Sequence, residues 1–295
     1  MEKVKKKMSP SLLAFSLLLT TYCLLLTSTA RAGLFDDLKK MDWEKIKETT
    51  EKVKRVLPVG LKEEIALGEE IAARIKQKYG VYHNEDVRRY VSLVGEAVAL
   101  ESKRVDGKKI RYHFSILDSD SINAFSCPGG YIFVSKGLLK KVENEAQLAG
   151  ILGHEIAHVT QKHVVKAIQK ANIVALSAEE ALKDKDSKEF KKIVDFGTNL
   201  IFNGLSKEDE FEADQVGTKW AYKIGYDPGG LRDFLKTLKG LSSKESSNLA
   251  LLFKTHPELN KRISQLNEHI LNSKMEVSNC PTLAWRYKKR MVSLK

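Results

Sequence analysis

Between Gly150 and His163 the chain reads GILGHEIAHVTQKH, which sets three histidines and a glutamate close together. His154 and His158 stand four apart. On a helix of 3.6 residues per turn that spacing separates them by about 40°, so both imidazoles can reach one ion. Glu155 follows the first histidine and can address a water beside that ion. The pattern is H-E-x-x-H, in which two histidines hold zinc and the glutamate serves as general base. Leu148, Ile151, Leu152, Ile156 and Val159 supply apolar flanks that would bury such a helix, which disfavours the plainer alternative of two histidines on a wet face. His163 does not complete the longer H-E-x-x-H-x-x-G-x-x-H pattern, because position 161 is Gln and position 164 is Val. On a continuing helix it lies about 180° from His154. That predicts a surface position, or one that supports a ligand from behind.

A catalytic zinc wants three protein ligands and one open position. The third ligand is expected from another element, and SKEDEFEADQVG (206–217) is the candidate. Glu210 and Asp214 stand four apart and share a helix face. Glu210 can bind the ion while Asp214 accepts a hydrogen bond from a ligating imidazole and fixes its orientation. Glu208 and Glu212 compete as ligands; the pairing with Asp214 favours Glu210.

These residues need elements to hold them. LKEEIALGEEIAARIKQKYG (61–80) is an amphipathic helix closed by Gly80, and NEDVRRYVSLVGEAVAL (84–100) is another with Asn84 as N-cap. Ile110 to about Leu117 alternates β-branched and aromatic residues and predicts a strand; SINAFSCPGG is a turn-rich connection, and Tyr131–Ser135 is a second strand. Helix returns from Glu143 through the histidine segment. The stretch from Ser177 to Lys192 is dense in charge and predicts a surface element, with a lid over the site as one role. Helices follow at 207–223, in LRDFLKTLKGL after the GYDPGG break, and in HPELNKRISQLNEHIL; the tail from Met275 to Lys295 fits no element. The expected fold is α+β, mostly helical, with a small antiparallel sheet.

At 295 residues the chain can bury a full core. The basic start MEKVKKKMSP, the apolar run Ser11–Leu26 and the small residues Ala30 and Ala32 predict a signal peptide over 1–32, cleaved after Ala32. An uncleaved anchor is the rival. A helical extension over 33–60 follows, its helix at Leu34–Leu57 stopped by Pro58 and Gly60. Removing residues 1–32 takes away five cations and Glu2, so the formal charge falls from +12 by 4 to +8. That surplus favours acidic partners or anionic membrane surfaces, although interleaved Lys and Glu also suit ordinary solvated helix faces. Cys127 and Cys280 would remain in an oxidising compartment, where they could pair. A nucleic-acid binder built on WRYKKR is disfavoured by the export signal.

HEIAH followed by EFEAD, with NAFSCPGGYIFVSKGLL before and THPELNKRI after, resembles the gluzincin zinc peptidases that include HtpX, the BepA-type periplasmic proteases and the CAAX-prenyl endopeptidase. The likeness runs from about Leu61 to Ile270. It implies a zincin-type metallopeptidase domain over 61–272, a basic tail over 273–295, and one Zn2+ per chain on His154, His158 and Glu210. Glu155 is then the catalytic base and Asp214 the support of a ligand. His256, in THPELNKRI, is the implied oxyanion donor, a cap on the metal, or a loop histidine before Pro257. Substrate would lie extended along Tyr131–Val134, with Asn123, Gly129, Gly130 and Tyr131 contacting it; an ordinary hairpin turn is the alternative. The resemblance implies a periplasmic endopeptidase for unfolded or misassembled envelope proteins, with contact to outer-membrane assembly machinery and at most peripheral membrane contact. The other expectation is a chaperone-like assembly factor whose metal site is structural or shut. The spanning helices of the membrane-embedded relatives are not expected here, nor are tetratricopeptide repeats after Ile270.

Overall fold

A computed structural model describes residues 60–171, 187–241, 246–276 and 280–294. The expected signal segment and its cleavage point, the helix at Leu34–Leu57 and most of the charged stretch at 177–192 lie outside those residues. Helix α1 (Leu61–Tyr79) ends at Gly80, and α2 (Glu85–Glu101) starts where the Asn84 side chain accepts from the Val87 amide, both as expected.

Three short strands follow: β1 (His113–Leu117), β2 (Ala124–Cys127) and β3 (Tyr131–Ser135). The sheet order is β1-β3-β2, with β2 antiparallel and β1 parallel to β3. The sheet is therefore mixed rather than wholly antiparallel. Residues 118–123 carry the chain across the end of the sheet, so β2 runs up the far side and β3 returns between its predecessors. Ser135 ties that crossing down: its hydroxyl donates to Ser121 O and accepts from the Asn123 amide. β2 sits in the segment expected to be a turn. Its four residues are all buried, so it carries no polar alternation to betray a strand.

Both faces of the sheet are covered. Phe114, Ile116, Ile132 and Val134 point into one apolar cluster, while Leu117, Phe125 and Phe133 point into a second with α1. Short helix α3 (Lys136–Leu139) leads to α4 (Glu145–Thr160), whose sixteen residues are all buried. A helix buried on every side belongs in the centre of a domain, and its polar residues there need partners. It does not continue through His163: Lys162 adopts φ 59°, and α5 (His163–Lys170) sets off in a new direction. The Lys162 amine is held at the break by Glu64, 3.3 Å away.

Helix α6 (Lys188–Asn203) begins inside the charged stretch, and α7 (Lys207–Lys223) follows with a capping box between Ser206 and Asp209. Then come α8 (Gly230–Leu241), α9 (Ser246–Thr255), α10 (Leu259–Asn272) and α11 (Ala284–Met291). Helices α4 and α7 meet at backbone contact. A Cβ built on Gly217 would lie 2.5 Å from Gly153 C and His154 N, so only glycine allows the approach. Cys127 is buried and Cys280 partly exposed; both are free thiols. No helix among the described residues is long and apolar enough to cross a membrane.

Candidate metal centre

The close approach of α4 and α7 brings the expected ligands together. His154 and His158 present their Nε2 atoms to each other at 3.0 Å, and Glu210 on α7 lies 3.5 Å from the first and 3.3 Å from the second. His256, at the end of α9, puts Nδ1 2.9 Å from Glu210 Oε2 and 3.4 Å from His154 Nε2. One ligand atom from each of these four residues falls within 4.8 Å of all the others. Glu155 is buried beside them, with Oε1 3.9 Å from His256 Nε2.

Each imidazole is oriented from behind. Asp214 Oδ1 accepts from His154 Nδ1 at 2.9 Å, which turns the Nε2 lone pair of the neutral ring into the cluster. His158 Nδ1 lies 2.8 Å from His163 Nδ1, and His163 Nε2 lies 3.2 Å from Glu212 Oε2. Burial, ahead of its charged neighbours, holds the His163 imidazole below its usual range, so the ring is neutral. A neutral His163 that donates to Glu212 has Nδ1 left to accept from His158, and His158 Nε2 then also faces the cluster. His163 thus supports a ligand and is buried. The surface position is ruled out because the helix breaks at Lys162.

Arg262, on α10, was not read from the sequence as a site residue. Its Nε and Nη2 donate to Asp214 at 2.8 and 2.7 Å, and Nη1 lies 3.1 Å from Glu210 Oε2. One signal pointed to it. Arg262, Leu266 and Ile270 share one buried stripe of α10, and an arginine on such a stripe needs buried acidic partners.

The electrostatics suit a cation. Burial opposes ionisation of Glu210, yet the charges of His256, Arg262 and His154 hold its carboxyl well below the usual range. Burial and Arg262 oppose protonation of His154, but Glu210 and Asp214 prevail and raise it to about 9. Burial, then the charge on His154, lowers His158 to about 3. Two imidazole nitrogens and a carboxylate oxygen thus converge where a divalent ion could supply the positive charge. Glu210 Oε1 is buried and forms no hydrogen bond among the described residues, with His158 Nε2 3.3 Å away, as a ligand atom facing a metal would be. The donor set fits zinc.

Two cavities reach Glu155 and His256. One is walled by apolar residues including Leu235 and Phe253, the other by Phe125, Ser126 and Leu205, and Ala124 of β2 borders both. Their volumes, about 30 and 20 Å³, are enough for a water. The expected substrate strand is corrected here. β3 is paired on both sides, Tyr131 with His113 and with Cys127, so it has no free edge; β2 has an edge with no strand beside it among the described residues. Gly129 and Gly130 lie at φ 77° and 92° against this chain's own backbone, where added Cβ atoms would meet Ile65 Cα at 2.8 Å and Arg111 O at 2.4 Å. Tyr131 stacks on His113. Neither these glycines nor Tyr131 line the two cavities. Asn123 is nearer: its side-chain oxygen accepts from Thr255, next to His256, at 3.3 Å, and its buried amide nitrogen has no partner among the described residues.

The family model described as Peptidase family M48 matches residues 85–270, more than half of the chain. The Beta-barrel assembly-enhancing protease of Escherichia coli strain K12 is 24% identical over 216 residues, covering 68% of this chain and 42% of that protein. Its counterpart in Yersinia pestis is 24% identical over 70% of this chain and 43% of its own length. The mitochondrial metalloendopeptidase OMA1 of Schizosaccharomyces pombe is 29% identical over 66% of this chain and 57% of its own length. The chain thus spans about half the length of the curated relatives it matches.

Proposed function

This chain belongs to peptidase family M48, and from that premise we propose that it is a zinc-dependent endopeptidase acting on unfolded or misassembled envelope proteins after export to the periplasm. The observation that carries this reading is the convergence of His154, His158 and Glu210 beside the buried carboxylate of Glu155. A zinc ion held by those three residues would polarise a scissile carbonyl and acidify a water. Glu155 accepts the proton of the attacking water and returns it to the leaving amine. Asp214, braced by Arg262, fixes His154, and His163 fixes His158. His256 reaches the developing oxyanion once it leaves Glu210. The edge of β2 away from β3, with Asn123 at its start, offers backbone pairing to an extended substrate. The basic start and apolar run of the first 32 residues support the compartment, and the printed name of the bacterial relatives, beta-barrel assembly-enhancing protease, supports the substrate class.

A second reading has one observation in its favour. His256 stands within the cluster as a fourth donor, 2.9 Å from Glu210, and so occupies the position a substrate or water would need, as in a shut site. In that state the chain would serve outer-membrane assembly by binding alone. Zinc-loaded wild type and Glu155→Gln, compared on casein and on an unfolded outer-membrane protein, separate the two. The variant should retain one zinc per chain and cleave at least about 100-fold more slowly. Equal cleavage by the two refutes the mechanism, and complementation in cells by the inactive variant supports the assembly reading.

A further inference from the structure

Helix α11 carries an arrangement of charge and apolar surface that the peptidase centre does not use. Its inner face is pinned. Tyr287 is buried with its hydroxyl donating to Leu139 O at 2.6 Å, and Arg286 pairs with the buried Glu145. Just beyond the helix, Tyr82 Oη and Asn84 Nδ2 both donate to Ser293 O. The helix is therefore fixed at both ends and cannot roll its outer face inward.

That outer face is unusual. At 100° per residue, Trp285 and Val292 fall within about 20° of each other, opposite Tyr287, with Lys288 and Lys289 flanking them at about 60° and 40°. Trp285 is 67% exposed and Val292 83% exposed, and Trp285 is the sole aromatic among the strongly exposed large apolar residues described. Lys288, Lys289 and Arg290 are exposed and form no ion pair among the described residues. No acidic residue occurs anywhere after Glu276. An exposed tryptophan flanked by lysines, on a helix whose other side is anchored, is the layout of an interfacial element: the indole enters the headgroup layer and the ammonium groups meet anionic headgroups.

We propose that the outer face of α11 docks the protein on an anionic lipid surface. The occupant is set by charge complementarity: a wholly cationic segment around one aromatic fits phosphate headgroups over an apolar interior. The proposal is independent of the peptidase reading.

The test uses the full chain and vesicles of brominated lipid, either pure phosphatidylcholine or equal parts phosphatidylcholine and phosphatidylglycerol. Bromine quenches a nearby indole, and the difference between wild type and Trp285→Phe isolates Trp285 from the other tryptophans, so binding through another segment does not confuse the result. Quenching of Trp285 is expected with the anionic vesicles, weakening as salt is raised. Each basic residue near such a surface contributes about fivefold. Lys288→Gln/Lys289→Gln should therefore lower the partition read at Trp285 by about 25-fold while casein cleavage is unchanged. A Trp285 signal that ignores the anionic vesicles, or one that the double variant leaves intact, overturns the proposal. Protection of Trp285 by polyglutamate without any response to lipid would assign the face to an acidic protein instead, and would also overturn it.

Discussion

Replacing Arg262 by methionine, which keeps the length of the side chain and removes its charge, tests how the centre is held together. Arg262 is 3% exposed and makes three contacts at 2.7 to 3.1 Å with two carboxylates that are themselves buried. Removing one member of a buried ion pair costs about 3–5 kcal/mol, because the remaining charge stays desolvated. Glu210 and Asp214 both lose a counter-charge here, so the upper part of that range applies to metal-free protein. For a domain of this size each kcal/mol moves Tm by about 2–4 °C, so about 4–5 kcal/mol gives a fall of about 8–20 °C in the presence of a chelator. Zinc supplies positive charge at Glu210, and a ligand at a thousandfold excess over its Kd returns about 4 kcal/mol. Zinc should therefore stabilise the variant and recover much of the loss. Arg262→Lys should rescue only in part, since one ammonium cannot reproduce the fork on Asp214. Calorimetry with and without zinc reads all three states. A metal-free Arg262→Met protein that melts within about 3 °C of wild type would refute the claim that this arginine braces the ligands.

His163→Phe removes the acceptor behind His158 and should weaken zinc affinity by about 10–100-fold in a chelator competition while the fold stays intact; unchanged affinity would show that His163 does not orient the ligand. Gly217→Ala should force α7 away from α4, costing about 1–3 kcal/mol in urea denaturation and lowering zinc content; wild-type zinc content in the variant would contradict the backbone contact. The third prediction concerns acid. Burial opposes ionisation of Glu145, but hydrogen bonds from Arg286, Tyr226 and Tyr90 hold its carboxyl below the ordinary value of 4.5. A depressed carboxyl contributes stability above the unfolded pKa and loses it as pH falls through the folded pKa, so α11 should loosen in the range below about pH 4.5. The acid-dependent fall in Tm should be smaller in Glu145→Gln, and an identical fall would exclude this carboxylate. His256→Ala should raise cleavage of casein if the histidine shuts the centre and lower it if the histidine stabilises the oxyanion; a rate equal to wild type would exclude both.

Much of this architecture could be read from local chemistry. Asn84 marked the start of α2 because a short amide can cap orphan helix amides, and 207–223 emerged whole as α7 because acids gather at its beginning. His154, Glu155 and His158 stood out by spacing alone, and the four-residue interval between Glu210 and Asp214 pointed to the carboxylate that lies beside both imidazoles. What escaped was decided by tertiary contact. β2 hid in Ala-Phe-Ser-Cys because burial on both faces erases alternation. The turn at Lys162 hid because the left-handed conformation falls on a lysine, held by Glu64, instead of on a glycine. The same break reversed the expectation for His163. Arg262 shows the complementary lesson: a charged residue on a buried stripe becomes intelligible only when its partners on α7 are in view.

The donor atoms of the centre are gathered from α4, α7 and the end of α9, and the outermost of them, His154 and His256, are 102 positions apart in the chain. No fragment of a growing chain can contain the set until residue 256 has been made and the helices have docked. On the proposed reading, a newborn copy therefore cannot cut its neighbours before it has folded, and completion of the fold is the activation step.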